Sequence, residues 1–344
     1  MRAAYIDDLG AAEDIRYGEL STPPPGPADV LVEVSHSAVN HVDTFVRSGA
    51  WRTPLRFPFV IGRDLVGTVI EVGRATTGLA LGDHVWCNSL GHDGRQGTAA
   101  ELAVVAADRL YRLPAGVDPV DAVAVAHPAA TAHLALFPHG RTRPGETVAV
   151  IGAAGCVGSA TVVMAVEAGA RVVAVAGASD AGWCRGLGAD TVLDYRAPGL
   201  PDLIRQAAPG GVDVYVDAAG RNDLATAVEL LARRGRLVVL AGMAARPVLP
   251  VGPLYLKNCS IAGFAISQAT VPELADAAAR VNRLLAAGLL RPRRVSRLAL
   301  RAAAEAHRRV EHGHGGGTKI VLRVADRGDR SLHRCTPSPR KETR

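Results

Sequence analysis

The pattern of hydrophobic and polar positions changes once along the chain, near Asp121. Before that point, short runs of mainly apolar residues are separated by turn residues, as in DVLVEVSHSAV, DLVGTVIEV, GDHVWC and ELAVVAADRLYRLP. Polar residues recur within these runs at the alternation expected of strands that bury one face. The first third of the chain therefore predicts a small all-β barrel.

After Asp121, apolar strand-like runs alternate with helical stretches. The runs are ETVAVIG, ARVVAVAG, DTVLDY, VDVYVDAAG, GRLVVLAG and CSIAGFAI. Apolar strands separated by helices form a parallel sheet that is covered on both faces. Beyond Phe264 the pattern predicts a helix over VPELADAAARVNRLLAAG, a strand over RRVSRLAL, a helix over AAAEAHRRV and a last strand over TKIVLRV. These closing elements can return to the β-rich first part.

The first of these apolar runs leads into the glycine-rich turn GAAGCVG and then into an apolar helix. This order is typical of dinucleotide-binding folds, in which the helix N-terminus holds a pyrophosphate. We expect Gly155 to let the backbone approach the pyrophosphate and Gly158 to allow the helix to pack closely on the strand. Ala153 stands where the first glycine of GxGxxG would be, so the strand–turn–helix context carries the prediction. A turn that binds nothing is the alternative.

The end of the second parallel strand bears on the choice between NADPH and NADH. NAD sites usually carry Asp or Glu there, whereas this chain has small residues from Ala176 to Ser179. These leave room for a 2′-phosphate, to which Ser179 could donate and Arg185 or Arg196 could add charge. Asp180 counts against such a site because a carboxylate repels a phosphate. We expect NADPH, with NADH as the second possibility.

Composition sets further bounds. A chain of 344 residues can form two domains. The apolar runs are all shorter than the roughly 18 residues of a membrane helix, and the start MRAAYIDDLG lacks the features of a signal peptide. We therefore expect a cytoplasmic protein with no membrane partner.

The formal net charge is +6, and about half of it falls in the closing stretch ADRGDRSLHRCTPSPRKETR. That stretch is expected to be a disordered basic tail, with no dedicated nucleic-acid surface elsewhere.

Seven motifs, in order, resemble a known family over nearly the whole chain. They are VNHVDTFVRSG, FPFVIGRDLVGTVIEVG, GDHVW, HPAATAHLAL, GAAGCVG, LGADTVLDYR and GTKIVL. The family is the medium-chain dehydrogenase/reductase superfamily, specifically its zinc-independent quinone oxidoreductase branch. The resemblance implies a GroES-like β-barrel catalytic domain (residues 1–122 and 265–325) interrupted by a Rossmann doubly wound parallel-sheet domain (residues 123–264), followed by the tail (residues 326–344). It also implies a homodimer through the edge strand near CSIAGFAI.

The resemblance also bears on metal binding. In zinc members of the superfamily, metal ligands occupy the positions that hold Asn40, Arg63 and His127 here. Only His127 can bind zinc, and a catalytic zinc needs three protein ligands. The structural zinc lobe is missing, since only the lone Cys87 and the loop NSLGHDGRQG follow Gly82. We therefore expect no zinc, and an amide hydrogen-bond donor at Asn40.

The chemistry that the resemblance implies is hydride transfer from a nicotinamide to a quinone or an α,β-unsaturated carbonyl. Donors placed at the carbonyl oxygen stabilise the charge that develops there, and Asn40 is the first candidate. Phe45 stands where relatives often carry a tyrosine, so no hydroxyl is available on that side. His127 can supply a proton after hydride transfer. The alternative is that His127 only caps a helix opening at Pro128.

Further positions are implied as cofactor contacts. They are His41, Thr131, Gly155, Val157, Gly158, Ser179, Tyr195, Gly242, Met243, Phe264 and Lys319. Lys319 could instead be an ordinary residue of an edge strand. Asp43 and Arg47 are expected to form a buried charge pair that holds their loop.

Two other functions stay open from the sequence. One is a zinc-free alcohol dehydrogenase, in which His127 would accept the proton of the alcohol. The other is an NADPH-binding protein whose basic tail contacts a nucleic acid or a protein partner.

Overall fold

The computed structural model describes residues 1–313 and 316–324, so the predicted basic tail lies outside the described residues. The strands are β1 (Arg2–Ile6), β2 (Arg16–Glu19), β3 (Asp29–Val39), β4 (Phe59–Val60), β5 (Asp64–Val72), β6 (His84–Cys87), β7 (Leu102–Ala106), β8 (Tyr111–Arg112), β9 (Thr147–Ile151), β10 (Arg171–Ala176), β11 (Thr191–Asp194), β12 (Val212–Asp217), β13 (Leu231–Val239), β14 (Ser260–Gly263), β15 (Arg294–Ala299) and β16 (Thr318–Arg323). The α-helices are α1 (His41–Ser48), α2 (Pro119–Leu134), α3 (Cys156–Glu167), α4 (Ala181–Gly186), α5 (Leu200–Ala207), α6 (Leu224–Leu230), α7 (Val251–Leu256), α8 (Val271–Ala286) and α9 (Ala303–Glu311).

Six strands form one parallel sheet in the order β11-β10-β9-β12-β13-β14. The central strand β9 is buried along its whole length, as expected of a sheet covered on both faces. From β9 the chain proceeds to one side through β10 and β11, and then crosses to the other side at β12. The carboxyl ends of β9 and β12 therefore border the crevice in which ligands of such sheets bind.

The second large sheet has the order β15-β16-β3-β5-β6-β8, with β7 also paired to β3. A three-stranded sheet, β2-β1-β4, accompanies it. The last described strand returns to the first part of the chain, since β16 pairs antiparallel with β3 and places Ile320 opposite Val39. Together the sheets confirm the predicted fold class. Because β16 lies between β15 and β3, Lys319 is not on an edge strand, and that alternative was wrong.

Helix α2 differs from the expectation drawn from the sequence. It begins at Pro119, with the Asp118 carboxylate accepting from the Val120 N–H at 2.6 Å, and continues through Pro128 to Leu134. His127 therefore lies inside the helix and does not cap one that opens at Pro128. Almost every residue of α2 is buried, and the helix packs against α3 and α8.

The same helix corrects the expectation about membrane-length segments. Together with the π-helical turn that follows it, the span Pro119–His139 has 21 residues and a mean hydropathy of 1.3, which is long and apolar enough to cross a membrane by length and composition. Most of this span is buried inside the fold. The sequence estimate missed it because His127, Pro128 and His133 interrupt the apolar run. Burial among other helices explains the composition of α2 as that of a core helix.

The domain boundaries stay a prediction. The boundary drawn at 122/123 falls within α2, and α8, which lies beyond the boundary at 264/265, packs on α2. Val281 and Leu284 of α8 share a hydrophobic cluster with Val148 and Val150 of the parallel sheet. The two large sheets are thus joined through a common layer of helices.

Burial of His307 makes stability depend on pH. This α9 side chain is 1% exposed, and burial, with Arg47 nearby, lowers its pKa to about 3. Between that value and the unfolded value near 6.5, the unfolded chain binds the proton more readily, so stability falls as pH falls. We expect the wild type to lose about 2 kcal/mol more stability than His307→Leu between pH 7 and pH 5, as measured by urea unfolding.

The exposed His84 supplies the matched control for the removal of one histidine side chain, through the variant His84→Gln. An equal loss of stability in the wild type and in His307→Leu would contradict the assignment.

Candidate active site

A cavity of about 560 Å³ lies between the carboxyl ends of the parallel strands and the seven-stranded sheet. Ten of the predicted site residues line it: Asn40, His41, His127, Thr131, Gly155, Val157, Gly158, Gly242, Phe264 and Lys319. Ser179, Tyr195 and Met243 do not line it; Met243 is 52% exposed in the loop after β13. The fold thus brings together residues that are scattered over most of the chain.

The phosphate-binding turn forms one wall of the cavity. A Cβ atom at Gly158 would lie 2.1 Å from the Gly152 carbonyl oxygen and 2.8 Å from the Ala153 Cα, so only glycine fits there. Gly155 is the N-cap of α3, and within residues 1–313 and 316–324 no side chain caps the first N–H groups of the helix. These groups are free to bind an anion, and the positive end of the helix dipole reinforces them. The turn fits the pyrophosphate of a dinucleotide.

The opposite wall is built around Asn40, at the junction of β3 and α1. Its Nδ2 donates to the Asp64 carboxylate at 2.9 Å and lies 3.4 Å from the Asp43 carboxylate, while Lys319 donates to its Oδ1. A lysine can only donate and a carboxylate can only accept, so these partners fix the orientation of the amide. Both polar ends of Asn40 are engaged. The sequence predicts an amide hydrogen-bond donor at Asn40, and in the structure this amide links one cation to two anions.

His127 lies next to Asp64. The His127 Nδ1 is 3.4 Å from the Asp64 Oδ1, within ion-pair distance. Among the described residues neither atom has a partner in hydrogen-bond geometry, and both are buried. The 3.4 Å contact is therefore the polar contact that the described structure provides for both atoms. The rest of the imidazole faces the cavity, one helical turn before Thr131, whose hydroxyl donates to the His127 carbonyl at 2.9 Å.

A second buried ion pair lies behind this wall. The Arg63 Nε is 3.7 Å from the Asp43 Oδ1, and each side chain is at most 2% exposed. Burial, together with the nearby Asp64 charge, raises the pKa of Asp43 to about 6, although the Arg63 guanidinium opposes the shift. The predicted pairing of Asp43 with Arg47 was wrong. Arg47 pairs with Glu311 of α9 and donates to the Gly10 carbonyl at 2.8 Å.

These side chains do not fit a catalytic zinc. Of the three positions at which zinc members carry ligands, Asn40 and Arg63 have no suitable donor atom, and the Arg63 guanidinium adds a positive charge beside Asp43. Over residues 1–313 and 316–324, no group of three or more His, Cys, Asp or Glu side chains is arranged to hold a metal ion.

Beyond the cavity, Tyr195 and Ser179 lie just after the ends of β11 and β10. The Arg196 and Arg221 guanidinium groups lie 4.7 Å and 5.6 Å from the centroid of the Tyr195 ring. Arg221 was not predicted; its one signal in the sequence is that it follows the glycine of VDVYVDAAG at the carboxyl end of a strand. Two arginines beside one exposed tyrosine provide positive charge at this end of the sheet.

Asp180, which counted against a phosphate here, is paired. The Arg293 Nη2 donates to its carboxylate at 2.7 Å, and this hydrogen bond lowers the pKa of Asp180. Its charge is therefore offset by a neighbouring cation, and the repulsion expected from the sequence is weakened.

The remaining walls are apolar or basic. Phe45 and Trp51 line the cavity, whereas Trp86 is buried and donates to Asn282 at 2.9 Å. Phe59 belongs to the hydrophobic core, and Phe57 is 44% exposed. The cavity-lining residues in the described part of the chain include no Asp or Glu, but they include His41, His127, Arg309 and Lys319. Partial burial and the Lys319 charge lower the pKa of His41.

Comparison with known proteins gives a consistent result. Residues 156–280 match the family described as zinc-binding dehydrogenase, and residues 26–115 match the alcohol dehydrogenase GroES-like domain. The quinone oxidoreductase of Mus musculus is 32% identical over 330 residues, covering 94% of this chain and 97% of that protein. The chain belongs to the medium-chain dehydrogenase/reductase superfamily. It is an oxidoreductase, and its relatives include quinone oxidoreductases.

Solved structures of superfamily members share the fold. An NAD-dependent alcohol dehydrogenase has a TM-score of 0.84 at 30% identity, covering 94% of this chain and 100% of that one. The Escherichia coli quinone oxidoreductase, solved in complex with NADPH, has a TM-score of 0.82 at 24% identity, covering 94% of this chain and 99% of that one. The fold that carries the cavity and its phosphate turn is therefore shared with these enzymes.

The phosphate turn gives a direct test. Gly158→Ala places a methyl group against backbone atoms that cannot move without opening the turn. We expect a loss of about 2 kcal/mol in stability and a drop of at least ~10-fold in NADPH affinity, measured by quenching of protein fluorescence.

Gly182→Ala is the matched control, because Gly182 lies in α4 with nothing within 4 Å of an added Cβ. It should keep full affinity and gain about 0.5 kcal/mol in stability. Unchanged NADPH binding by Gly158→Ala would show that the cofactor does not use this turn.

Proposed function

We propose that the protein is a zinc-independent reductase that transfers hydride from NADPH to a quinone or an α,β-unsaturated carbonyl. One observation carries the proposal: a single cavity is bordered by the phosphate turn on one side and by His127, held next to the buried Asp64, on the other. When bound, a reduced nicotinamide supplies the hydride. The side chains of this cavity bind and orient the cofactor and the substrate, and they exchange a proton with the substrate.

Lys319 is the cation that we assign to the middle of the site. It is 6% exposed, its ammonium group donates to Asn40, and it lines the cavity beside Cys156, the first residue of α3. An ammonium group has three donors, so two remain when one is held by Asn40. They favour a negative charge near the phosphate turn. This position supports the predicted role of Lys319 as a cofactor contact.

His127 is the group that we assign to proton transfer. When hydride adds to the β-carbon of an enone, charge moves to the carbonyl oxygen and a proton must reach the α-carbon. The imidazole faces the cavity and has a carboxylate behind it, which is the arrangement of a general acid. Asn40 serves this site by holding Lys319, because its own donors are occupied by carboxylates.

The preference for NADPH rests on the charges around Tyr195. Arg196 and Arg221 flank its ring, and Ser179 offers a hydroxyl at the end of the neighbouring strand. Arg293 offsets the charge of Asp180, the residue that follows Ser179. These observations support a 2′-phosphate more strongly than they support the bare ribose of NADH.

An alcohol dehydrogenase without zinc is the second candidate. One similar structure is that of an NAD-dependent alcohol dehydrogenase, and an alcohol would need a base for its proton. His127 is placed to accept it. A role in binding nucleic acid or protein rested on the tail, which lies outside the described residues. We keep the cytoplasm as the proposed location.

A homodimer is part of the proposal. Strand β14 is an edge of the parallel sheet within the described chain. Beside it along the sequence, the segment 248–256 exposes Val248, Val251, Tyr255 and Leu256 by 60% or more. Exposed apolar residues next to an open strand edge favour pairing with a second copy.

The function is tested with NADPH and NADH after metal chelation, against a quinone, an enone, an enoyl thioester and an aldehyde. We expect turnover with NADPH that survives chelation. His127→Gln should abolish alcohol oxidation and lower enone reduction about 100-fold. Quinone reduction should change little, because a hydroquinone oxygen can take its proton from water.

Three results would count against this reading. Loss of all turnover on chelation would refute zinc independence. Equal losses on every substrate in His127→Gln would remove the proton-transfer role. Binding of NADPH with no acceptor reduced would favour the non-enzymatic alternative.

The dimer is tested with Leu256→Glu, which adds a charge to the proposed interface at a position that is 71% exposed. Light scattering should show a dimer for the wild type and a monomer for the variant. Leu81→Glu is the matched control, since Leu81 is 69% exposed in a loop of the seven-stranded-sheet region, and it should stay dimeric. A wild type that is monomeric would refute the interface.

A further inference from the structure

We propose that Asp64 is a positioning residue: a single buried carboxylate that holds His127 with one oxygen and, through Asn40, Lys319 with the other. The inference rests on the proposed function, because it assigns the residue that sets the proton donor of that reaction. Asp64 is not among the residues that line the cavity, so it would act through its two partners and not by contact with substrate.

The geometry of Asp64 is that of a junction. It is fully buried, its Oδ2 accepts from Asn40 Nδ2 at 2.9 Å, and its Oδ1 lies 3.4 Å from His127 Nδ1. Lys319 is tied to the same carboxylate through the Asn40 amide. Three neighbouring elements of one sheet and the helix α2 therefore converge on one side chain.

The fold explains why the junction forms. Asp64 is the first residue of β5 and pairs with Ala38 of β3, two residues before Asn40. On the other side of β3, β16 places Ile320 opposite Val39, which brings the preceding Lys319 to Asn40. The backbone pairing of three strands thus sets the spacing of Asp64, Asn40 and Lys319. No flexible loop has to move for these side chains to meet.

The physical consequence concerns the proton on His127. A buried carboxylate beside Nδ1 favours a proton on that nitrogen, both in the neutral ring and in the imidazolium. The neutral ring then keeps Nε2 without a hydrogen, so that this nitrogen can receive a proton, and the imidazolium can donate one from the same atom. A carboxylate that sets a histidine tautomer is a recognised device in catalytic sites.

Other charged groups surround Asp64 and His127, and one of them provides the control for the experiments on Asp64. Asp43 and His41 belong to α1, Arg63 precedes β5, and Lys319 lies on β16. Asp43 is the informative comparison, because it is also a buried carboxylate and also contacts Asn40, whose backbone N–H donates to it at 2.7 Å. Its charge also acts on His127, but among the described residues the ion pair of His127 is with Asp64 and not with Asp43. A purely electrostatic influence would be shared by both carboxylates, whereas a positioning contact belongs to Asp64 alone.

The first measurement uses the unmodified protein. Nitrogen-15 NMR of protein with labelled histidine distinguishes the two neutral tautomers, and the His127 signals are assigned by their absence in His127→Gln. We expect the Nδ1–H tautomer. A predominant Nε2–H tautomer would overturn the proposal, and this result does not depend on any variant of Asp64 folding.

The second measurement compares Asp64→Asn with Asp43→Asn. Asp64→Asn should raise the share of the Nε2–H tautomer of His127, and should reduce kcat for enone reduction or alcohol oxidation at least ~10-fold with little change in KM for NADPH. Asp43→Asn should leave the tautomer of His127 as it is in the wild type. Equal tautomer changes in the two variants, or no change in Asp64→Asn, would refute the positioning role.

The outcomes separate this inference from the proposed function. If His127→Gln keeps full activity with every acceptor, the proton-transfer role fails even where the NMR tautomer shows that Asp64 holds the ring. If His127→Gln is impaired while Asp64→Asn keeps the His127 tautomer and the turnover of the wild type, the proposed function stands and the role of Asp64 is refuted.

Discussion

The antiparallel pairing of β16 with β3 is the constraint on which the site depends. It joins the last described strand to a strand from the first part of the chain and sets Ile320 opposite Val39. Because the next residues are Asn40 on one strand and Lys319 on the other, closing the sheet also places a buried ammonium group on a buried amide. The strand pairing that completes the sheet therefore also assembles the site. A substitution that disturbs the pairing of either strand should disturb the site as well.

Charge balance follows from that closure. Asp43, Asp64, Arg63 and Lys319 are all buried next to one another, with two formal charges of each sign. An isolated buried charge is strongly unfavourable, whereas paired charges with hydrogen bonds are tolerated. Removal of one member leaves its partner uncompensated, which is why isosteric amide replacements are more informative than truncations in this cluster. The same balance lets the Arg63 guanidinium lie buried near two carboxylates.

Much of the fold could be predicted from the sequence, because it is encoded in local patterns. The six apolar runs form the six strands of the parallel sheet, as their local pattern predicted. The close contacts around Gly158 match the expected packing of helix on strand. The partners of Asn40 could not be predicted in this way. Asp64 is 24 residues away and Lys319 is 279 residues away, so only strand pairing decides that they meet. Arg221 was missed for the same reason, since its neighbour Tyr195 belongs to another strand end.

Helix α2 carries both His127 and Thr131 on the face that borders the cavity, and the Thr131 hydroxyl is anchored to the His127 carbonyl. The spacing between these two side chains is fixed by a single turn of a helix that is buried along nearly all of its length. The walls that would meet an acceptor come from elsewhere: Phe45 from α1, Trp51 from the following turn and Ile266 from the segment after β14. Replacements of Phe45, Trp51 and Ile266 can therefore change the range of substrates while His127 and Thr131 stay in place. Such a separation of substrate walls from reactive side chains suits both natural diversification and enzyme engineering.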